Sequence, residues 1–176
     1  MPEFNQEISS GLGLYHGGLQ AQSRSTSFYL EVTGIKGGCK EQKHEGQTVI
    51  TGFEYQLVSP RDVSSGLASG KRVHYPVEVA GKLDKAGPLL FKAAAENQNL
   101  KSVKVHCWTA ANADLNTTEG DTEDYTAELV DARVSRYKQF TYEDGTKFFI
   151  AAFTFQQITL TWVDGGISHI DNWSGT

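Results

Sequence analysis

From Ser27 onward the chain alternates. Phe28, Leu30 and Val32 are separated by Tyr29, Glu31 and Thr33, the period-two pattern of a strand with one buried face, which ends at Gly34. A loop follows with the Gly37-Gly38 pair and the charged stretch 40–46. TVITGFEYQLV, residues 48–58, is rich in β-branched and aromatic residues and predicts a second strand. A third is expected over residues 73–83, with Val73, Tyr75, Val77 and Val79 on one face and His74 and Glu78 on the other. Leu89, Leu90, Ala93 and Ala94 then change to helical spacing. Gly87 is suited to cap this short helix and Pro88 to be its first residue, since the missing N–H costs nothing there; Asn97 or Gln98 ends it. Such a helix is too short to stand alone and must pack on a sheet or close a barrel end.

A fourth strand is expected over residues 102–109, with Val103, Val105 and Cys107 facing one way. Residues 112–124 read as a solvated acidic loop. Two long strands of a closing hairpin follow at 125–140 and 147–163, turning at Glu143-Asp144-Gly145. In the last strand Phe149, Ala151, Phe153, Phe155, Gln157, Thr159 and Thr161 share a face, and the opposite face is also apolar or neutral. A strand buried on one side only does not need that, so a neighbouring surface, such as another subunit, is expected to cover the second face. The fold class is therefore mainly β: an antiparallel barrel of two packed sheets with one short flanking helix. Residues 27–176 form the barrel domain. Residues 1–26, rich in Gly, Ser and Gln, read as an irregular arm: a disordered extension, a cloning remnant or a segment that orders on a neighbour, reaching about 80 Å if extended.

The chain has 176 residues and a formal net charge of −5, enough length for one real core and none of the basic excess that binds nucleic acid. No apolar run reaches the length of a membrane span, and no basic-then-apolar leader opens the sequence, so a protein made in the cytoplasm is expected, without membrane insertion. Cys39 and Cys107 are read as reduced structural residues. The five histidines, His16, His44, His74, His106 and His169, lack metal-pair spacing, and His74 and His106 are read as satisfied surface or interface residues rather than bases. No nucleophile elbow, phosphate loop or dinucleotide fingerprint occurs. Glu119, Asp121, Glu123 and Asp124 lack the ligand spacing of a calcium loop. No enzyme, cofactor or metal is expected.

Between two convincing strands lies SPRDVSSGLASGKR, residues 59–72, too long for a tight turn; loops of this length inside a compact domain tend to have a task. The order of strand, SPRD…SGKR loop, His-containing strand, LDKAGPLLFKA helix and K-x-V strand across residues 54–108 resembles the Hcp (haemolysin-coregulated protein) family, inner-tube subunits of type VI secretion systems, themselves similar to phage tail-tube proteins. SFYLEVTGIKG, FTFQQITLTWVDGGI and DNWSGT agree, and the likeness covers residues 27–176.

The resemblance implies homohexameric rings stacked into a tube, and partners among sheath, spike and baseplate proteins and effectors carried in the lumen. It also implies a cytoplasmic protein exported on firing without a signal peptide. The contact loop would comprise Ser59, Pro60, Arg61, Asp62, Ser69, Gly70, Lys71, Arg72 and His74, with Arg61, Asp62, Lys71 and Arg72 making polar contacts to a neighbouring subunit or ring. The N-terminal arm departs from the family pattern. A tail-tube protein of a phage-like contractile particle is the near alternative. A monomeric ligand-binding barrel with Trp108, Trp162 and Trp173 as stacking aromatics is the distant one.

Overall fold

The computed structural model describes residues 26–110 and 121–174. Its elements are β1 (Thr26–Val32), β2 (Thr48–Glu54), β3 (Leu57–Val58), β4 (Val73–His74), β5 (Val77–Lys82), α1 (Gly87–Ala95), β6 (Leu100–Thr109), β7 (Thr122–Thr141), β8 (Lys147–Thr154), β9 (Gln157–Trp162) and β10 (Ile167–Asn172). Antiparallel ladders join β7, β6, β1, β2, β5 and β8, and β8 pairs again with β7, closing a six-stranded barrel. β9 and β10 extend the sheet outward from β7 as a ribbon, and β3 and β4 form a separate two-stranded hairpin. The mainly β barrel with one short helix is thus the fold observed.

β7 makes closure possible because its 20 residues serve two neighbourhoods. Tyr125–Val130 pair with β9 and Arg133–Thr141 with β8, while β6 lies along the first half. The change falls at Asp131, whose φ of 50° is the left-handed turn that Asp tolerates better than most residues. Its carboxylate accepts a bond from Asn99 Nδ2 at 3.0 Å, which holds the bend and, as the leading cause, lowers its pKa. Inside the barrel the period-two pattern does what it promises: Leu30, Val32, Val77, Val79, Val103, Val105, Leu129, Phe149, Ala151 and Phe153 all meet in one core. The helix closes it with Leu90 and Ala93. Gly87 lies so close to the body that a β-carbon there would stand 2.3 Å from Leu83 Cδ1 and 3.0 Å from the Tyr137 hydroxyl. Ala86, rather than Gly87, is the residue before the helix, and its N–H donates to Asp84.

Several expectations are corrected. The second strand ends at Glu54, and Leu57–Val58 leave the barrel. The third strand is broken, since Pro76 has no N–H to continue a ladder. The break also reverses the faces: Val73 and Tyr75 are exposed, and His74, expected at a surface, is buried. The final strand divides after Thr154. Phe155 is still buried, but Gln156 N–H donates to Val130 O and the chain crosses from beside the second half of β7 to beside the first. Ile158 therefore turns inward instead of Gln157 or Thr159. β10 was not anticipated. Thr122, Glu123 and Asp124 belong to β7 rather than to an acidic loop. The N-terminal arm to Ser25, His16 and Glu119 lie outside the described residues.

The loop at 36–47 is packed rather than loose. His44 stacks on Tyr29 with ring centroids 3.7 Å apart, and the Tyr29 hydroxyl donates to Glu41 at 2.8 Å. Tyr29, on the outward face by register, is buried as a result, and burial together with Glu41 pushes its phenol to about 12. The outer face of β8 also finds cover within the chain. Ala152 lies in register between Glu78 and Arg136, and the Arg136 guanidinium donates to Glu78 across it at 2.6 Å. Exposed apolar side chains among the described residues gather on the hairpin and the β9–β10 ribbon, with Leu89 and Phe91 on the helix and Val49 on β2 also exposed.

Candidate functional site

The stretch singled out as a long loop is an ordered hairpin that stands off the barrel. At its base Leu57 faces His74 and Val58 faces Val73, and Tyr75 N–H donates to Gln56 O at 3.0 Å. Farther out Arg61 pairs with Ala68, and Ser69 N–H donates to Pro60 O. At the tip one oxygen of Asp62 accepts bonds from the hydroxyls and amides of Ser64 and Ser65, at 2.6 to 3.1 Å. Those donors, the Ser64 hydroxyl first, hold the Asp62 carboxyl at about 2. Asp62 N–H donates to Leu67 O, and Gly66 takes the positive φ that closes the turn. DVSSGL is thus a turn with internal chemistry and needs no partner to keep its shape.

What the hairpin presents outward is apolar. Val63 is fully exposed and Leu67 69 % exposed at the tip, and Leu57, Val58, Val73 and Tyr75 are exposed along the arms. Six such side chains on one projection have no use in an isolated molecule and fit a protein contact.

The hairpin is joined to the body by a clasp. Arg72 donates through Nε to Asp171 Oδ2 at 2.7 Å and through an Nη to Oδ1, a two-pronged ion pair between β4's leading edge and β10. His74 Nε2 lies 3.3 Å from the same Asp171, and its Nδ1 is 2.6 Å from the Tyr55 hydroxyl. The ring thus shares a hydrogen bond with Tyr55 through Nδ1, while buried Nε2 faces the carboxylate without hydrogen-bond geometry. Phe155 and Trp173 pack against the His74 ring, and its side chain is wholly buried. Bonding to Arg72 lowers the Asp171 pKa; burial, with the Asp171 charge second, raises that of Tyr55.

The nine residues singled out from sequence therefore divide. Ser59, Pro60, Arg61, Asp62, Ser69, Gly70 and Lys71 lie on the projecting part, whereas Arg72 and His74 turn back into their own chain. Asp62 is taken up by the tip serines. Asp171, Tyr55, Phe155 and Trp173 complete the site and were missed. Asp171 is 99 positions from Arg72 and lies on an unanticipated strand, so no spacing signal pointed to it.

The other candidates find separate surroundings. His106 links three strands, with Nδ1 2.5 Å from Glu123 and Nε2 3.2 Å from Glu31. Trp108 lies against His44 with Lys43 above its ring, Trp173 belongs to the clasp, and Trp162 is half exposed on β9, so the three tryptophans share no stacking face. Both cysteines are free and buried, and burial pushes the Cys107 thiol to about 12. Among the described residues no cluster of His, Cys, Asp and Glu is arranged to hold a metal, and no helix is long and apolar enough to cross a membrane.

A closed barrel whose most distinctive feature is a rigid, apolar-tipped hairpin defines a structural protein built for protein contact. Comparison with known proteins makes that specific. Residues 29–162 match the family described as type VI secretion system effector, Hcp, and the chain belongs to that family, which is structural and secreted rather than enzymatic. The "Major exported protein" of Pseudomonas aeruginosa is 30% identical over 171 residues, covering 85% of this chain and 96% of that protein. Hcp1 of the E. coli EAEC 042 pathovar superposes with a TM-score of 0.72 at 25% identity, over 86% of this chain and 99% of its own. Secreted protein Hcp3 of Pseudomonas aeruginosa gives 0.68 at 25%, over 85% and 99%.

Proposed function

We propose that this chain is a tube subunit of a type VI secretion machine: copies close into hexameric rings, and rings stack with the hairpin of one subunit seated on a neighbour. The observation that carries the reading is the hairpin itself. It is ordered by its own hydrogen bonds and carries Val63 and Leu67 at its tip, exposed among the described residues. Because its shape is fixed beforehand, seating it costs little ordering entropy. β10 supplies a second contact of a different kind, since among the described residues it pairs with β9 alone and its other edge is open. A head-to-tail contact whose repeated rotation returns to its start closes a ring rather than an open filament.

On this reading Ser59, Pro60, Arg61, Ser69, Gly70 and Lys71 touch the neighbour, Arg61 and Lys71 by charge. Arg72 and His74 act from behind by holding the hairpin. Sheath, spike and baseplate proteins are the partners such a tube requires, export follows firing, and small effectors are its cargo. Light scattering with negative-stain imaging of the same sample tests the reading. A hexameric mass with ring-shaped particles is expected, and a clean monomer at high concentration would overturn it.

A further inference from the structure

The hairpin and the β9–β10 ribbon are far apart in sequence, and the hairpin's ladder belongs to neither the barrel nor the ribbon. Two peptide connections, at Gln56 and at Tyr75-Pro76, attach it to the barrel. A two-stranded ribbon on such joints does not hold an angle by itself. Among the described residues, besides the His74–Tyr55 hydrogen bond, the side-chain ties at its root run to one place: Arg72 and His74 to Asp171 at the end of β10, and the His74 ring to Phe155 and Trp173, which flank β9 and β10. Asp171 in turn faces Ile158 in the β9–β10 register, so its carboxylate is carried by the ribbon's inner face. Among the described residues the other edge of β10 has no strand partner, and Ile167 and Ile170 of that strand are exposed, one on each of its faces.

We infer that Asp171 is a positioning residue that makes the hairpin and the β9–β10 ribbon one rigid unit, so that a second copy of this chain seated on the edge of β10 also sets the direction in which the hairpin points. The second half rests on the self-assembly proposed above; the first half does not. Physically, the two-pronged ion pair fixes orientation as well as distance, which a single contact does not. The buried His74 ring supplies the pivot. Ring closure and stacking are then coupled: a displacement of β10 reaches the hairpin through Asp171 without passing through the barrel.

The test uses the full chain with Asp171→Asn, and with Arg72→Met and Arg72→Lys as a second pair should the first variant fold poorly. Hydrogen exchange is read at the amide of Tyr75, bonded to Gln56 O at the hairpin's root, with the amides of Asp62 and Ser69, bonded within the hairpin itself, as an internal reference. About tenfold faster exchange is expected at Tyr75 for Asp171→Asn and Arg72→Met, with Arg72→Lys between them and wild type and the barrel amides unchanged. Unchanged protection of the Tyr75 amide would overturn the inference. Ring mass and stack length are measured on the same samples. Rings of wild-type mass that stack about tenfold less readily support the coupling; a loosened hairpin with wild-type stacking overturns it. A wild-type chain that is monomeric would sink the proposed function and the coupling together, and the exchange result would still decide whether Asp171 holds the hairpin.

Discussion

The barrel wall and the hairpin solve opposite problems with the same residue types. In β8, Phe149, Ala151 and Phe153 are wholly buried between β5 and β7, and even the outer-facing Ala152 is roofed by the Arg136–Glu78 pair. In the hairpin, valines and leucines stand in solvent, and shape comes from serine hydroxyls, one aspartate and a clasp at the root. The wall is held by what it buries, and the hairpin by polar bonds that release its apolar side chains for use elsewhere. Substitutions in the wall should therefore change stability, and substitutions at the tip should change association.

The largest effect is expected from Phe153→Ala, which empties a fully buried site and costs about 3–5 kcal/mol, read from urea unfolding. Tyr55→Phe comes next. It leaves His74 Nδ1 buried without its hydrogen-bond partner, for about 1–3 kcal/mol in the same assay, and it sharpens the comparison because the residue sits where wall and hairpin meet. Acid probes the same junction. The folded Asp171 pKa lies below its ordinary 3.8, so the clasp's stabilisation is fully present above 3.8 and is lost as pH falls through the lower folded value. A lower protection factor at the Tyr75 amide on acidification in that range, corrected for the intrinsic fall of amide exchange with pH and reversed on returning to neutral pH, is the expected observation. Cys107, held at about 12 by burial, is expected to resist alkylation at pH 8 until the wall unfolds, as mass spectrometry would show. The smallest effect on stability belongs to Val63→Asp and Leu67→Ser, within about 0.5 kcal/mol of wild type.

The barrel was readable from sequence because its signal is local. Leu30 and Val32, Val103 to Cys107, and Phe149 to Phe153 each declare a buried face by alternation, and Pro88 marks the helix start. Reading failed where the chain changes neighbour. Nothing in KFFIAAFTFQQITLTWV marks Phe155-Gln156 as the point where one strand becomes two, because the residues suit a strand throughout and only the competing demands of β8 and β9 on β7 decide it. Pro76 was a usable signal for the broken third strand and for the inversion that buries His74. The site was half legible: residues 59–72 stood out by length and turn chemistry, and DVSSGL contains its own bonding. The clasp depends on Asp171, which is an ordinary surface residue until the fold brings Arg72 to it.

The central claim is that the hairpin tip is an association surface and not part of what keeps the chain folded. Sedimentation velocity of wild type and of the Val63→Asp, Leu67→Ser double variant, at matched concentrations, tests it directly. The expected result is hexameric rings in both, with higher species formed by stacking in wild type alone. Identical stacking in the two proteins would contradict the claim.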